Sequence, residues 1–264
     1  MSTPDPLPRH TLVDTHCHLD AAEFDADRPA VHAAARAAGV GVMVVPGVAA
    51  AAFPAVRDCC ARYAGCLPAY GIHPLYVDGA RPEDLALLRA WLAAEQPVAV
   101  GEIGLDGYVA DADPARQEWF FVEQLKIARE FGLPVILHVR RAIDSILKHL
   151  RRIRVPGGIA HAFNGSRQQA EEFIKLGFVL GFGGAMTYSG STRIRSLAAE
   201  LPLEHIVLET DAPDIPPAWL DRGRNAPGEL PRIAAVLAEL RGVPVADVAA
   251  ATTLTARGRL SLPG

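Results

Sequence analysis

A single closed (β/α)8 TIM barrel, an α/β fold, is the architecture this sequence predicts, and three observations predict it. The chain has 264 residues, close to the roughly 250 typical of such barrels. Short apolar runs rich in Val, Ile and Leu alternate along it with longer segments rich in Ala, Leu, Glu and Arg. No linker rich in Gly and Ser divides this alternation. Strands buried on both faces read as continuous apolar runs, which is how parallel sheets covered by helices look. One domain is therefore expected over 11–264, behind a short flexible leader at 1–10. The rival is an open doubly wound sheet, but no G-x-G-x-x-G follows the first run, so a dinucleotide fold gains no support.

Eight strands are expected in order. They are TLVDTHCH (11–18), VGVMVVPGV (40–48), CLPAYGIHP (66–74) and PVAVGEIGL (97–105), then LPVILHV (133–139), GIAHAF (158–163), GFVLGFGGA (177–185) and HIVLETDAP (205–213). Helical patterns fill the intervals at 25–38, 50–64, 82–95, 114–131, 141–153, 167–176, 191–200, 228–241 and 246–258. The helix at 114–131 opens on Asp113-Pro114, an N-cap followed by proline at the first helical position. It stops at Gly132, and Gly177 ends the helix at 167–176 in the same way.

Half the residues are hydrophobic and 21% are charged, so a full core can be buried and global disorder is excluded. The 26 Lys and Arg against 30 Asp and Glu give a net charge of −4. That balance argues against gripping long duplex nucleic acid, but it leaves room for a local basic site that meets an end. No run approaches the about 20 apolar residues of a membrane span, and MSTPDPLPRH lacks an apolar signal core. Cys17, Cys59, Cys60 and Cys66 read as reduced thiols, so a cytoplasmic protein is expected. A monomer is expected as well.

Polar residues interrupt the apolar runs at one set of places. His16 and His18 close the first strand, Glu102 the fourth, His138 the fifth, His161 the sixth and Asp211 the eighth. Barrel active sites are built at the carboxyl ends of strands. His16 and His18 are two apart, so on a strand both imidazoles share a side and Cys17 faces the helices. Imidazoles converging with carboxylates suit Zn, Mn or Fe-type ions. Six candidate ligands exceed the needs of one ion that must keep positions open, so two divalent ions sharing a bridging group are expected. Lys126, Lys148 and Lys175 all fall in helical segments, which leaves Glu102 as the bridge. One ion is expected on His16, His18, Glu102 and Asp211, and the other on Glu102, His138 and His161. A divalent ion brings water close to ionisation near neutral pH, and Asp211 could accept the proton. Glu209, two residues earlier, is expected deeper in the barrel as a supporting partner.

These residues stand in segments that resemble the TatD family of metal-dependent hydrolases, among the amidohydrolase-like barrels. The segments are VDTHCHLD (13–20), GIHP (71–74), GEIGLD (101–106), LPVILHVRR (133–141), HAFNGS (161–166), ETDAPD (209–214) and RNAP (224–227). HAFNGSRQQAEEFIKLGF and ETDAPDIP resemble the branch of the family that contains the bacterial YjjV proteins. The resemblance implies metal ligands at His16, His18, Glu102, His138, His161 and Asp211, with two divalent ions (Zn, Mn or Mg). It implies a DNase that hydrolyses phosphodiesters at nucleic-acid ends or in single-stranded DNA. It also implies a substrate-side role for His73 near the scissile phosphate, so that Asp211, Glu102 and His73 form the catalytic set. Val139, Leu75 and the segment GYVADADPARQ depart from the family pattern, and these are rim positions.

Arg140, Arg141, Arg193, Arg195, Arg222 and Arg224 fall in or near loops at the same rim, and Arg140 and Arg224 are the expected phosphate contacts. Phe163, Tyr188 and Trp219 are the few candidate stacking aromatics, so extended single-strand binding is expected to be modest. The alternative activity is metal-dependent hydrolysis of another ester, such as a D-aminoacyl-tRNA linkage, because a barrel alone supports many chemistries.

Overall fold

A computed structural model describes residues 11–262. The leader expected over 1–10, like the last two residues of the expected domain, lies outside them. Eight parallel strands form one sheet in the order β1 to β8. They are β1 (Leu12–Asp14), β2 (Val40–Pro46), β3 (Cys66–Tyr70), β4 (Ala99–Asp106), β5 (Val135–Arg140), β6 (Gly158–Ala160), β7 (Phe178–Phe182) and β8 (Ile206–Leu208). The seam between β8 and β1 is bridged by Thr15 N on Leu208 O at 3.1 Å and Asp211 N on His16 O at 2.8 Å. This is the expected (β/α)8 barrel.

Nine helices lie among the described residues: α1 (Arg28–Ala37), α2 (Phe53–Arg62), α3 (Glu83–Glu95), α4 (Pro114–Phe131), α5 (Ile143–Arg152), α6 (Arg167–Lys175), α7 (Thr192–Glu200), α8 (Leu230–Arg241) and α9 (Val245–Leu260). Helix α4 begins and ends where its signals stand. The Asp113 carboxylate accepts from the amides of Ala115 and Arg116, and Gly132 closes the helix at φ 64°. Helix α6 opens on a capping box of Ser166 and Gln169. None of the helices is long and apolar enough to cross a membrane.

Two apolar layers hold the barrel. The inner one packs Val13, Val42, Val44, Ile136, Ile159 and Val207 with smaller neighbours, over Leu260 of α9 and Leu262. Helix α9 lies at the amino end of the strands, where the Thr253 hydroxyl donates to Thr11 O. The barrel is filled from below. Cys17 packs in the outer layer between sheet and helices, fully buried, and all four cysteines are free thiols.

The strands are shorter than the apolar runs, which changes where several site residues stand. His16 and His18 lie beyond β1, in irregular chain, rather than on the strand. Glu102 sits in the middle of β4, not at its end, within the stretch where the pairing of β4 with β5 shifts register. His138 is inside β5, and Asp211 follows β8 by three residues. An apolar run marks burial, and burial continues past the last ladder hydrogen bond.

Candidate metal centre

The irregular chain after β1 is fixed by hydrogen bonds to both sides. Cys17 N donates to Val44 O of β2 at 3.0 Å, and His18 N donates to Ala212 O at 2.7 Å. Beneath them lies a buried carboxylate. Asp14 accepts from Thr210 Oγ1 at 2.6 Å, from Thr210 N at 3.0 Å and from His16 N at 3.3 Å. Burial pushes its carboxyl up to about 8, although these donors oppose the shift. Asn225 locks the far side, its amide donating to Thr210 O at 2.8 Å and Asp214 O at 2.9 Å.

Above this brace the expected six side chains converge. His16 Nε2 lies 3.2 Å from His18 Nε2, 3.2 Å from Glu102 Oε2 and 3.5 Å from Asp211 Oδ1. The other Glu102 oxygen lies 3.0 Å from His138 Nδ1. His161 stacks on His16 with ring centroids 3.7 Å apart, and its Nε2 is 3.5 Å from Asp211 Oδ1. Three sets of donor atoms are close enough for an ion: His16, Glu102 and His161; His16, His18 and Asp211; His73, Glu102 and His138. Glu102 and His16 tie the sets together. The expected partition groups His161 with His138, whereas here its ring stacks on His16 and its donor set is shared with His16 and Glu102.

Neighbouring groups orient these rings. The second nitrogen of His138 lies 2.8 Å from Asp106 Oδ2, a carboxylate that sequence reasoning missed although it ends the segment GEIGLD. Gly104, two residues after Glu102, allows β4 to approach here, since a Cβ would stand 2.1 Å from His138 O. Glu209 meets His161 Nδ1 at 3.0 Å, too poorly aligned to hydrogen-bond, and accepts from Ala162 N at 2.6 Å. His73 stands 3.1 Å from His138 Nδ1 and 3.6 Å from Glu102 Oε1. Its own Nδ1 accepts from Leu75 N, so the neutral ring carries its proton on Nε2 and faces the centre as a donor.

The electrostatics fit a cation. Burial pushes Glu102 towards protonation, but His73, His16 and His138 hold it well below the usual carboxylate range. Burial lowers His16, and it holds His73 down at about 4, so both are neutral. Against burial, Asp106 and Glu102 raise His138 to about 9, while Glu209 and Asp211 hold His161 well above its usual value. Among the described residues no Lys or Arg pairs with these carboxylates, and imidazolium supplies the positive charge. The buried Nδ1 of His16 and Oε2 of Glu209 find no hydrogen-bond partner. Divalent ions would take over the charge that protons hold here, and the donor set suits Zn or Mn better than an all-oxygen site would.

The centre opens into a cleft of about 1470 Å³. Asp20 and Glu23 beyond β1 and Asp214 beyond β8 line it, as do Arg140 and Arg141 at the end of β5 and Arg193 at the start of α7. Arg224 is not in its lining. Its guanidinium is bidentate on Asp27 at 2.9 and 2.6 Å and lies over Phe24, bracing two loops. The expected stacking aromatics are also elsewhere. Phe163 is buried against Phe173, Tyr188 donates to Pro216 O, and Trp219 donates to Glu229. The aromatics that line the cleft are Tyr76 and Tyr108, each 51% exposed. Leu75 and Val139, positions that depart from the family pattern, line it too.

Comparison with known proteins finds a family and several relatives. A model of the TatD-related DNase family matches residues 13–260. The uncharacterized metal-dependent hydrolase YjjV of Escherichia coli is 41% identical over 91% of this chain and 94% of its own length. The 3′-5′ ssDNA/RNA exonuclease TatD of Cronobacter sakazakii is 36% identical over 93% of this chain and 96% of its own. The crystal structure of the Escherichia coli YjjV protein superposes with a TM-score of 0.93 at 39% identity, covering 97% of this chain and all of that one.

Proposed function

This chain belongs to the TatD family of metal-dependent hydrolases, and from that premise we propose that it is a two-metal phosphodiesterase acting on nucleic-acid ends or single-stranded DNA. One ion would be held by His16, His18, Glu102 and Asp211, and the other by Glu102, His138 and His161. When bound, such ions (Zn, Mn or Mg) polarise the phosphoryl group and acidify the attacking water. The observation that carries the reading is Glu102, whose two oxygens face His16 at 3.2 Å and His138 at 3.0 Å, as a bridging carboxylate requires.

The chain's own groups then divide the work. Asp211, at the floor of the cleft and held ionised against burial by His161, accepts the water's proton and returns it to the leaving oxygen. His73 directs its Nε2 proton towards the reacting phosphate, which puts a donor opposite the developing negative charge. Asp106 keeps His138 in its orientation, and the Glu209 carboxylate, 3.0 Å from His161 Nδ1, supports the charge of His161. The 3′-5′ exonuclease among the relatives supports a nucleic-acid substrate.

The test offers metal-loaded protein a single-stranded oligonucleotide with a 3′-hydroxyl and, separately, a D-aminoacyl-tRNA. Nucleotide release that disappears in Asp211→Asn and Glu102→Ala is the expected result. Deacylation without nucleotide release would replace the phosphodiesterase by an ester hydrolase on the same centre.

A further inference from the structure

The wall of the cleft formed by the ends of β4 and β5 carries positive charge that the reading above leaves unused. Tyr108 follows β4 by two residues, and two guanidinium groups lie over its ring. Arg140 is 3.8 Å and Arg141 4.6 Å from the ring centroid. Neighbouring residues on a strand point to opposite sides. Arg141 escapes that rule because its backbone is left-handed, at φ 54°, and both side chains reach one ring.

Among the described residues, neither guanidinium meets a carboxylate. This sets them apart from Arg224 on Asp27, Arg167 on Glu200 and Arg151 on Glu172. Asp144, also in the lining, accepts from Gln169 Nε2 at 2.8 Å. Arg193, another lining residue, donates to the Asn164 side chain at 3.2 Å. Two cations held close together without a counter-charge are a receptor for an anion, and guanidinium matches phosphate in shape and charge.

The wall is fixed relative to the metal centre. Asp106 accepts from Tyr108 N at 2.8 Å with one oxygen and meets His138 with the other. Gly107 N donates to Arg140 O at 2.8 Å, joining the two strand ends. Arg140 stands two residues beyond His138 on the same strand, roughly 6.6 Å farther out at about 3.3 Å per residue. That is comparable with the step between successive phosphates on an extended strand. Asp20, Glu23 and Asp214, beyond the ends of β1 and β8, also line the cleft and would repel a polyanion, which favours the arginine-bearing end of β5 for its continuing phosphates.

We infer that Arg140 and Arg141, seated on Tyr108, form a second phosphate subsite, so that the preferred substrate carries another phosphate beside the scissile one. This inference rests on the phosphodiesterase reading for the bond that is cut, and Tyr108 serves as a positioning residue.

The experiment compares TpTpT, with two phosphates, and TpT, with one. Binding to chelator-treated protein is measured by calorimetry, and kcat and KM are measured on the metal-loaded enzyme. Wild type is expected to bind TpTpT at least about tenfold more tightly and to show the same preference through KM, with the preference falling as salt rises. In Arg140→Ala/Arg141→Ala the ratio should fall towards one, and Tyr108→Ala should lower it partly. Tyr108→Phe should restore it, because the ring alone seats the guanidinium groups. A ratio near one in wild type, or a ratio kept by the double variant, overturns the subsite. Arginine-dependent binding without cleavage leaves the subsite standing and removes the phosphodiesterase reading; cleavage with no arginine dependence does the reverse.

Discussion

The two walls of the cleft are built on different principles. On the seam wall, His16, His18 and Asp211 stand on irregular chain beyond the ends of β1 and β8. They are held by a buried lattice in which Asp14, Thr210 and Asn225 bond to one another and to the backbone. On the opposite wall, Glu102 and His138 are part of β4 and β5; His138 is paired in the ladder, and Glu102, where the register shifts, is tied by its amide to Gly47 O at 3.1 Å beside it. One carboxylate, Asp106, is enough to orient that wall. Irregular backbone offers fewer repeating hydrogen bonds, so a site built on it needs a dedicated polar brace, whereas a site built in a sheet inherits one. Asp20, Glu23 and Asp214 follow the seam strands, while Arg140 and Arg141 end β5.

Substitutions on each wall sharpen this contrast. On the strand wall, Asp106→Asn should cut metal affinity and kcat by about 10–100-fold, the range for groups that orient a ligand. Metal content and steady-state rates check this, and an unaltered protein would mean that His138 needs no support beyond the ladder. On the seam wall, Thr210→Val removes the hydroxyl that Asp14 accepts at 2.6 Å within a fully buried site. Urea unfolding should show a loss of about 1–3 kcal/mol, the cost of leaving a buried acceptor short of a donor. A negligible loss would show that the seam is held by its backbone bonds alone. The smallest effect belongs to Arg224→Ala, which breaks an exposed pair with Asp27 behind the same wall. Its destabilisation should fall below that of Thr210→Val and fade at high salt, because solvent screens such pairs.

The same contrast explains what could be read from the sequence. All eight strands were legible as apolar runs, and α4 was legible to the residue because Asp113, Pro114 and Gly132 each act within one turn of the backbone. The strand ends were not, because Thr15, His16 and Cys17 stay buried after the ladder has ended. The convergence of His16, His18, Glu102, His138, His161 and Asp211 followed from strand-end logic even where the strand ends were misplaced. Arg224 shows where that logic stops. Its place in a rim loop fixes which end of the barrel it occupies, not whether its side chain turns inward to the cleft or outward to Asp27. Tyr108 and Asp106 carried a weak signal, standing at the end of a segment already marked by Glu102. The parity of Asp106 with Glu102, four residues apart on one strand, would have placed both on the same face.

The plug of side chains beneath the barrel has a consequence for traffic. Among the described residues, Val42, Val44, Ile136 and Val207 fill the interior above Leu260 and Leu262 and close the lower end of the barrel. Whatever enters leaves by the entrance, so a long strand cannot thread through this molecule as through a ring. Under the phosphodiesterase reading proposed above, a shortened strand would have to slide or let go before the next bond could be presented, and the departing fragment would share one passage with its successor.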